Sequence, residues 1–321
     1  MHPVLAHFEL IGGHAVVVGS YATFMTLAWI AMAAIGTALA ASRGVAWRRG
    51  FAVFAGSLFA GVVGARLLDL VLAPAFYAEN PARAFSLNFQ GFSLYGGFVF
   101  GALAAIVLAR LLSLPLWTLA DAAMPALAAG IVLMRTGCFL RGCCFGVPTA
   151  LPWGVSFPTG SPAWTQQLAS GRMGLLGMAG GALPVHPTQL YELAAAVLLC
   201  AAATLLRRRE GTAEGVAFLA FALGFTVFRV ADSFLRAAQS GPGAPAWLDP
   251  VMYSAIVAAL VVLLGVRTGL GRPRWSRWPQ RSLPAEPPPL PWEAVPAASA
   301  KRQPSHVPSR ATSSLADSAG R

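Results

Sequence analysis

Charge is scarce in this chain. Only 11% of its 321 residues are Asp, Glu, Lys or Arg, against 56% hydrophobic ones. A water-soluble fold of this length needs far more charged surface, so a chain solvated largely by lipid is implied. Lysine is nearly missing, with Lys301 alone against twenty-two arginines. The formal net charge is +11, but the arginines fall in short clusters between apolar runs and near the C-terminus. Membrane topology accounts for that placement, and no nucleic-acid partner is implied. Cysteine is limited to four residues and histidine to five. The cysteine pattern matches neither an extracellular disulfide scaffold nor a pair of CxxC metal knuckles. The opening MHPVLAHFELIGGH lacks a basic stretch before an apolar run and a cleavage site, so no removable signal peptide is expected.

What is abundant is long apolar sequence. Runs over residues 16–41, 51–72, 92–112, 116–134, 189–206, 215–235 and 250–266 each approach or exceed the roughly 20 residues a helix needs to cross the hydrocarbon core. The expected fold is therefore an all-alpha polytopic membrane protein of about seven spans. Residues 73–91, with Pro74, Asn80, Pro81 and Asn88, read as a loop. Residues 135–187 carry Gly137, Gly142, Gly146, Pro148, Pro152, Pro158 and Pro162, too many breakers for one straight helix. Residues 1–270 form the membrane unit, and the Pro-rich 271–321 read as a disordered cytoplasmic tail.

Arginine placement orients the spans. Arg43, Arg48 and Arg49, then Arg110, then Arg207 to Arg209, then Arg267 and the arginines after it all fall on one side of a seven-span chain. The positive-inside rule puts that side, with the C-terminus, in the cytoplasm and the N-terminus outside. The long 135–187 connection then faces outward, with Arg135, Arg141 and Arg172 counting mildly against.

Ionisable residues inside apolar runs are costly and call for partners or a polar cavity. Arg66 and Asp69 are three apart; Arg229, Asp232 and Arg236 share a stripe by helical spacing. Each set either pairs internally or joins the other in a cleft for an anionic lipid headgroup. Asp121 reads as a polar tether or a solvated helix end. The densest segment is MRTGCFLRGCCFG (134–146), where Arg135 and Arg141 can hold phosphate oxygens or act as interface anchors. Cys138, Cys143 and Cys144 read as small packing residues, as reactive thiols beside arginine, or as partners in a disulfide. Adjacent Cys143 and Cys144 make simple chelation awkward, so no metal is assigned. Cys200 lies in an apolar run and reads as packing. The second dense segment is LPVHPTQLYE (183–192): His186 can relay a proton or bind phosphate, with Tyr191 and Glu192 orienting it, or serve the local turn, while Glu192 can cap a helix start.

In this order, an N-terminal HP pair, GARLL, FSLYGG, the 134–146 signature, HPTQLYE and FRVADSFLR resemble the prolipoprotein diacylglyceryl transferase family over roughly residues 1–267. The resemblance implies seven spans in a bacterial cytoplasmic (inner) membrane with the site toward the outer leaflet. It also implies transfer of diacylglyceryl from phosphatidylglycerol to a lipobox cysteine of a prolipoprotein, without cofactor. Arg135 matches the signature arginine, Arg229 and Arg236 the late arginines, Arg66 the earlier one, and Tyr21 a tyrosine of the first span. His186, Gln189, Tyr191 and Glu192 match the HPxQLYE motif. Tyr95 stands where the family has a histidine important for catalysis. Cys138 and Arg141 stand at asparagine positions, and Cys143 where an acid is common. Ser233 occupies a glutamate position, with Asp232 one residue earlier and about 100° around a helix.

On this resemblance Arg135, Arg229 and either Arg236 or Arg66 bind the phosphate, with Arg141, Gln189 and Tyr191 also at the substrate. Tyr95, His186 or Glu192 positions or deprotonates the thiol. A phenol with an ordinary pKa of about 10 is a poor base at neutral pH. The substitutions leave open a lipid transferase or thiol-active paralogue with another acceptor or another anionic phospholipid, and a lipid-binding membrane protein that does no chemistry.

Overall fold

A computed structural model describes residues 4–9, 15–82, 94–171, 181–237 and 248–269. It opens with an antiparallel hairpin, β1 (Val4–Glu9) on β2 (Ala15–Gly19), with Val4 opposite Gly19 and Glu9 opposite Ala15. The helices are α1 (Ser20–Ala41), α2 (Trp47–Leu72), α3 (Pro74–Ala78), α4 (Leu94–Leu111), α5 (Leu116–Arg141), α6 (Pro162–Ala169), α7 (Thr188–Arg207), α8 (Val216–Ser233) and α9 (Leu248–Thr268). The hairpin takes the first residues of the run at 16–41. Val16, Val17 and Val18 are β-branched and favour extended backbone, so the helix starts only at Ser20.

Six described helices are long and apolar enough to cross a membrane, and a shorter apolar stretch, Gly96–Leu111, lies in α4. The chain is a polytopic α-helical membrane protein. Its outward faces fit that solvent: Phe59 and Val71 are each 73% exposed and Leu198 and Val266 are each 69%. Apolar surface of this extent is tolerated in lipid and selected against in water.

The helices pack in a row: α4 on α2, α2 on α1, α1 on α5, α5 on α7, α7 on α8 and α8 on α9, with α5 also touching α8. Central α5 is the most buried of the spans. Its inward residues are small, among them Ala122, Ala126 and Ala128, which lets neighbouring backbones approach closely.

Two connections hold more helix than their breakers imply. α5 runs seven residues past Met134, through Gly137, and stops at Arg141. Gly142 (φ 77°) ends it in a left-handed turn, its N–H bonding the carbonyls of Cys138 and Phe139 at 3.0 and 3.1 Å. Further on, α6 is capped by the Ser161 hydroxyl, which accepts from the Trp164 N–H. Short bridges Pro148↔Val185 and Val155↔Val185 close this connection over Phe145, Phe157, Ala163 and Ala182. Between α2 and α4, Pro74 starts α3 because its fixed φ suits a first helical turn.

Asp121 proves to be a tether. It is 1% exposed, and its two oxygens accept the N–H groups of Gly215 (3.0 Å) and Phe218 (3.1 Å) at the start of α8. A carboxylate there satisfies orphan donors and complements the helix dipole. Arg207 Nε lies 3.8 Å away, and Glu214 accepts from Thr118 nearby. The chain divides into units Met1–Gly271 and Arg272–Arg321. The second unit, including the expected tail, lies outside the described residues, as do His2, Pro3 and Arg172.

Candidate functional site

Where α5 ends and α7 begins, five ionisable side chains converge. Glu192, in the second turn of α7, is fully buried. Its Oε2 lies 2.6 Å from Arg135 Nη2, and its Oε1 accepts from Arg229 Nη1 (2.7 Å) and Arg236 Nη1 (2.6 Å). Asp232, 2% exposed, lies 3.4 Å from Arg229 and 3.9 Å from Arg236. Arg229 Nη2 also donates to the Tyr253 hydroxyl at 3.2 Å. Three guanidinium groups against two carboxylates leave one formal positive charge in a buried place, which an anion can complete. Among the described residues, the buried side-chain atoms without a hydrogen-bond partner are the donors Arg135 Nε and Trp164 Nε1 and the acceptors Gln189 Oε1, Glu192 Oε2 and Asp232 Oδ1, of which Glu192 Oε2 is ion-paired to Arg135. The Arg135 Nε–H is a donor that an anion can accept from.

Local sequence builds this hub in two ways. Arg229 and Asp232 share a face of α8 at i,i+3. Arg236 was expected to continue the helical stripe, but α8 ends at Ser233. An antiparallel bridge to Gly146 places Arg236 instead, with Val147 N–H on the Leu235 carbonyl (2.8 Å) and Ala237 N–H on the Phe145 carbonyl (3.2 Å). Gly146 is needed at that crossing, since a Cβ there would fall 2.6 Å from both His186 Cβ and the Leu235 oxygen. Ser233 is exposed and donates to the Val230 carbonyl, so Asp232 is the acid of this segment that enters the hub.

The HPTQLYE segment spans two environments. Thr188 Oγ1 donates to the Cys144 carbonyl and Gln189 Nε2 to the Cys143 carbonyl, both at 2.7 Å. His186 Nδ1 lies 3.3 Å from the Tyr191 hydroxyl, which accepts from Trp153 Nε1 at 2.8 Å. His186 and Tyr191 thus belong to an aromatic cluster with Trp153, while Glu192 belongs to the arginines.

Cys138, Cys143 and Cys144 bring their Sγ atoms within 4.8 Å of one another, the group among the described residues able to hold a metal ion. Hydrogen bonds from Cys138 and Cys143, then the charges of Arg135 and Arg236, hold the Cys144 thiol well below its ordinary value. Hydrogen bonding to Cys138 and Cys144 pushes Cys143 up.

Other expected residues lie elsewhere. Arg66 donates to the Tyr77 hydroxyl (3.2 Å), which donates in turn to Asp69. The stripes of α2 and α8 do not form one cleft, because α1 and α5 stand between them in the row and α2 packs mainly on α1 and α4. Arg141 stacks over the Tyr21 ring at 5.2 Å. Tyr95 lies in the first turn of α4, and its side chain is outside the described residues. Cys200 packs beside the cluster of Met124, Ala128 and Phe221. Tyr253 and Trp153 were not expected at the site. A lone phenol in the apolar run 250–266 was the available signal for Tyr253, whereas nothing local marks Trp153.

The chain was compared with known proteins. The family model described as prolipoprotein diacylglyceryl transferase matches residues 8–269. Relatives named phosphatidylglycerol–prolipoprotein diacylglyceryl transferase include one from Rhizobium meliloti (strain 1021), 32% identical over 57% of this chain and 60% of the relative. The one from Clostridium tetani is 27% identical over 65% and 75%, and the one from Nitrosomonas europaea 30% over 64% and 71%. The match thus spans 60% of the length of the Rhizobium meliloti relative. With its signature arginine, HPTQLYE segment and late arginines gathered on one buried glutamate, and with most of its length matched, this chain belongs to the prolipoprotein diacylglyceryl transferase family.

Proposed function

We propose that the protein transfers the diacylglyceryl group of phosphatidylglycerol to the lipobox cysteine thiol of a prolipoprotein, at the outer leaflet of the bacterial inner membrane. The observation that carries this reading is the convergence of Arg135, Arg229 and Arg236 on Glu192, with one more guanidinium group than carboxylates in the cluster. The names of the relatives supply the substrates. The orientation rests on the arginines of the cytoplasmic turns and is supported by the packing at the Asp121 end, where Arg207 and Arg267 gather, opposite the Arg135 end of α5.

Lipid enters laterally, and its phosphate takes bonds from Arg135 Nε and the outer guanidinium nitrogens. The acceptor thiolate attacks the glyceryl carbon, a C–S bond forms, the C–O bond to phosphate breaks, and glycerol phosphate leaves with the electron pair. The arginines stabilise the charge that grows on the leaving phosphate. Glu192 has both oxygens engaged by guanidinium groups, so it positions the arginines; His186 with Tyr191, or Tyr95, remains for the thiol proton. Arg229→Ala should cut turnover on the order of 100- to 1,000-fold while membrane insertion persists. Unchanged transfer by that variant would remove Arg229 from the mechanism.

A further inference from the structure

Phosphate binding leaves the three signature thiols unused. Cys138 lies in the last turn of α5, 2% exposed, and Cys143 and Cys144 follow the helix end. Neighbouring cysteines in regular backbone point their side chains apart. Here the chain reverses at Gly142, and Cys144 sits at φ 60°, a left-handed conformation costly for a residue with a Cβ. Thr188 and Gln189 clamp the turn by bonding the carbonyls of Cys144 and Cys143. A strained turn, held from outside, that delivers three sulfurs to one point has the form of a ligand set.

We propose that Cys138, Cys143 and Cys144 bind one Zn²⁺ as three thiolates, with the fourth tetrahedral position open to an exogenous thiol. Thiolates at about 2.3 Å from a tetrahedral zinc lie about 3.8 Å apart. The three sulfurs already lie within 4.8 Å of one another, so the gap to that spacing is at most about 1 Å. Binding releases the protons the thiols still hold and leaves the loaded site with one negative charge, opposite in sign to the excess of the neighbouring arginine cluster. The arginines, which would repel a bare cation, therefore favour the thiolate-bound one. Three protein ligands are the set of an open site rather than a closed structural one. An incoming thiol displaces water there, binds as thiolate and yields its proton to solvent. That the lipobox thiol is this ligand rests on the transferase reading; the metal site itself does not.

The test uses the full chain in detergent, reduced and stripped of metal, then given ZnCl₂ and desalted. Elemental analysis should find one zinc per chain. A thiol reagent should find the part-exposed Cys143 and Cys144 shielded, with EDTA restoring both. Cys143→Ser and Cys144→Ser should drop zinc to background, while Cys200→Ser keeps it. Shielding in the unaltered protein does not depend on any variant folding. Background zinc, Cys143 and Cys144 as reactive in its presence as in its absence, or zinc retained by both serine variants would overturn the site. With Co²⁺ in place of zinc, 2-mercaptoethanol should strengthen the sulfur-to-cobalt charge-transfer band, and an unchanged band overturns the open position. A response to 2-mercaptoethanol but not to a lipobox peptide counts against the transferase reading and leaves the site standing.

Discussion

At the scale of single residues, Glu192 carries the most weight. It is buried beneath three guanidinium groups, so removing it leaves like charges facing one another without compensation. Glu192→Ala should lower stability by about 3–5 kcal/mol, read as a drop in detergent melting temperature. A melting curve matching the unaltered protein would show that the arginines are solvated independently. Asp232 and Ser233 give a sharper contrast. Asp232 contacts two arginines and Ser233 is exposed, so Asp232→Asn should impair transfer while Ser233→Ala changes stability by no more than about 0.5 kcal/mol. The reverse order would mean that Ser233 had kept the role of the glutamate it replaces. The i,i+3 spacing of Arg229 and Asp232 was legible in the sequence because both lie on one helix. The bond from Arg229 to Tyr253 was not, because it joins residues twenty-four apart on different helices.

At the scale of elements, helix ends were harder to read than helix interiors. Glycines in 134–146 look like breakers, yet α5 passes through Gly137 and yields only at Gly142, where the left-handed turn is made. The missed hairpin has the same origin: three valines suit a strand as well as a span, and pairing with β1 decides between them. Arg236 reached its expected place by a bridge rather than by helix periodicity, so the prediction about it shifts to that bridge. Gly146→Ala should push the Leu235 and His186 backbones apart and weaken lipid binding, measured as a raised KM for phosphatidylglycerol. An unaltered KM would mean the crossing yields without moving Arg236. Asp121→Ala, at the opposite end, should cost about 1–3 kcal/mol of stability through the freed donors of α8 and leave KM alone.

At the scale of the whole molecule, the polytopic architecture was plain from composition and apolar run length. The order of packing was not, because hydropathy says nothing about which helices touch. Composition therefore gave no warning that α1 and α5 separate Arg66 from the arginine hub. Orientation is open to direct measurement. A reporter fused after Arg209 should behave as cytoplasmic, and one inserted at Gly171 as external. Exchanged signals would invert the topology and move the arginine hub to the cytoplasmic leaflet. The central claim of group transfer is tested most directly by mass spectrometry of purified protein incubated with labelled phosphatidylglycerol and a lipobox peptide. The predicted result is a peptide heavier by one labelled diacylglyceryl group in thioether linkage, with glycerol phosphate released. Label on a cysteine of the protein itself, or lipid bound with the peptide unmodified, would contradict it.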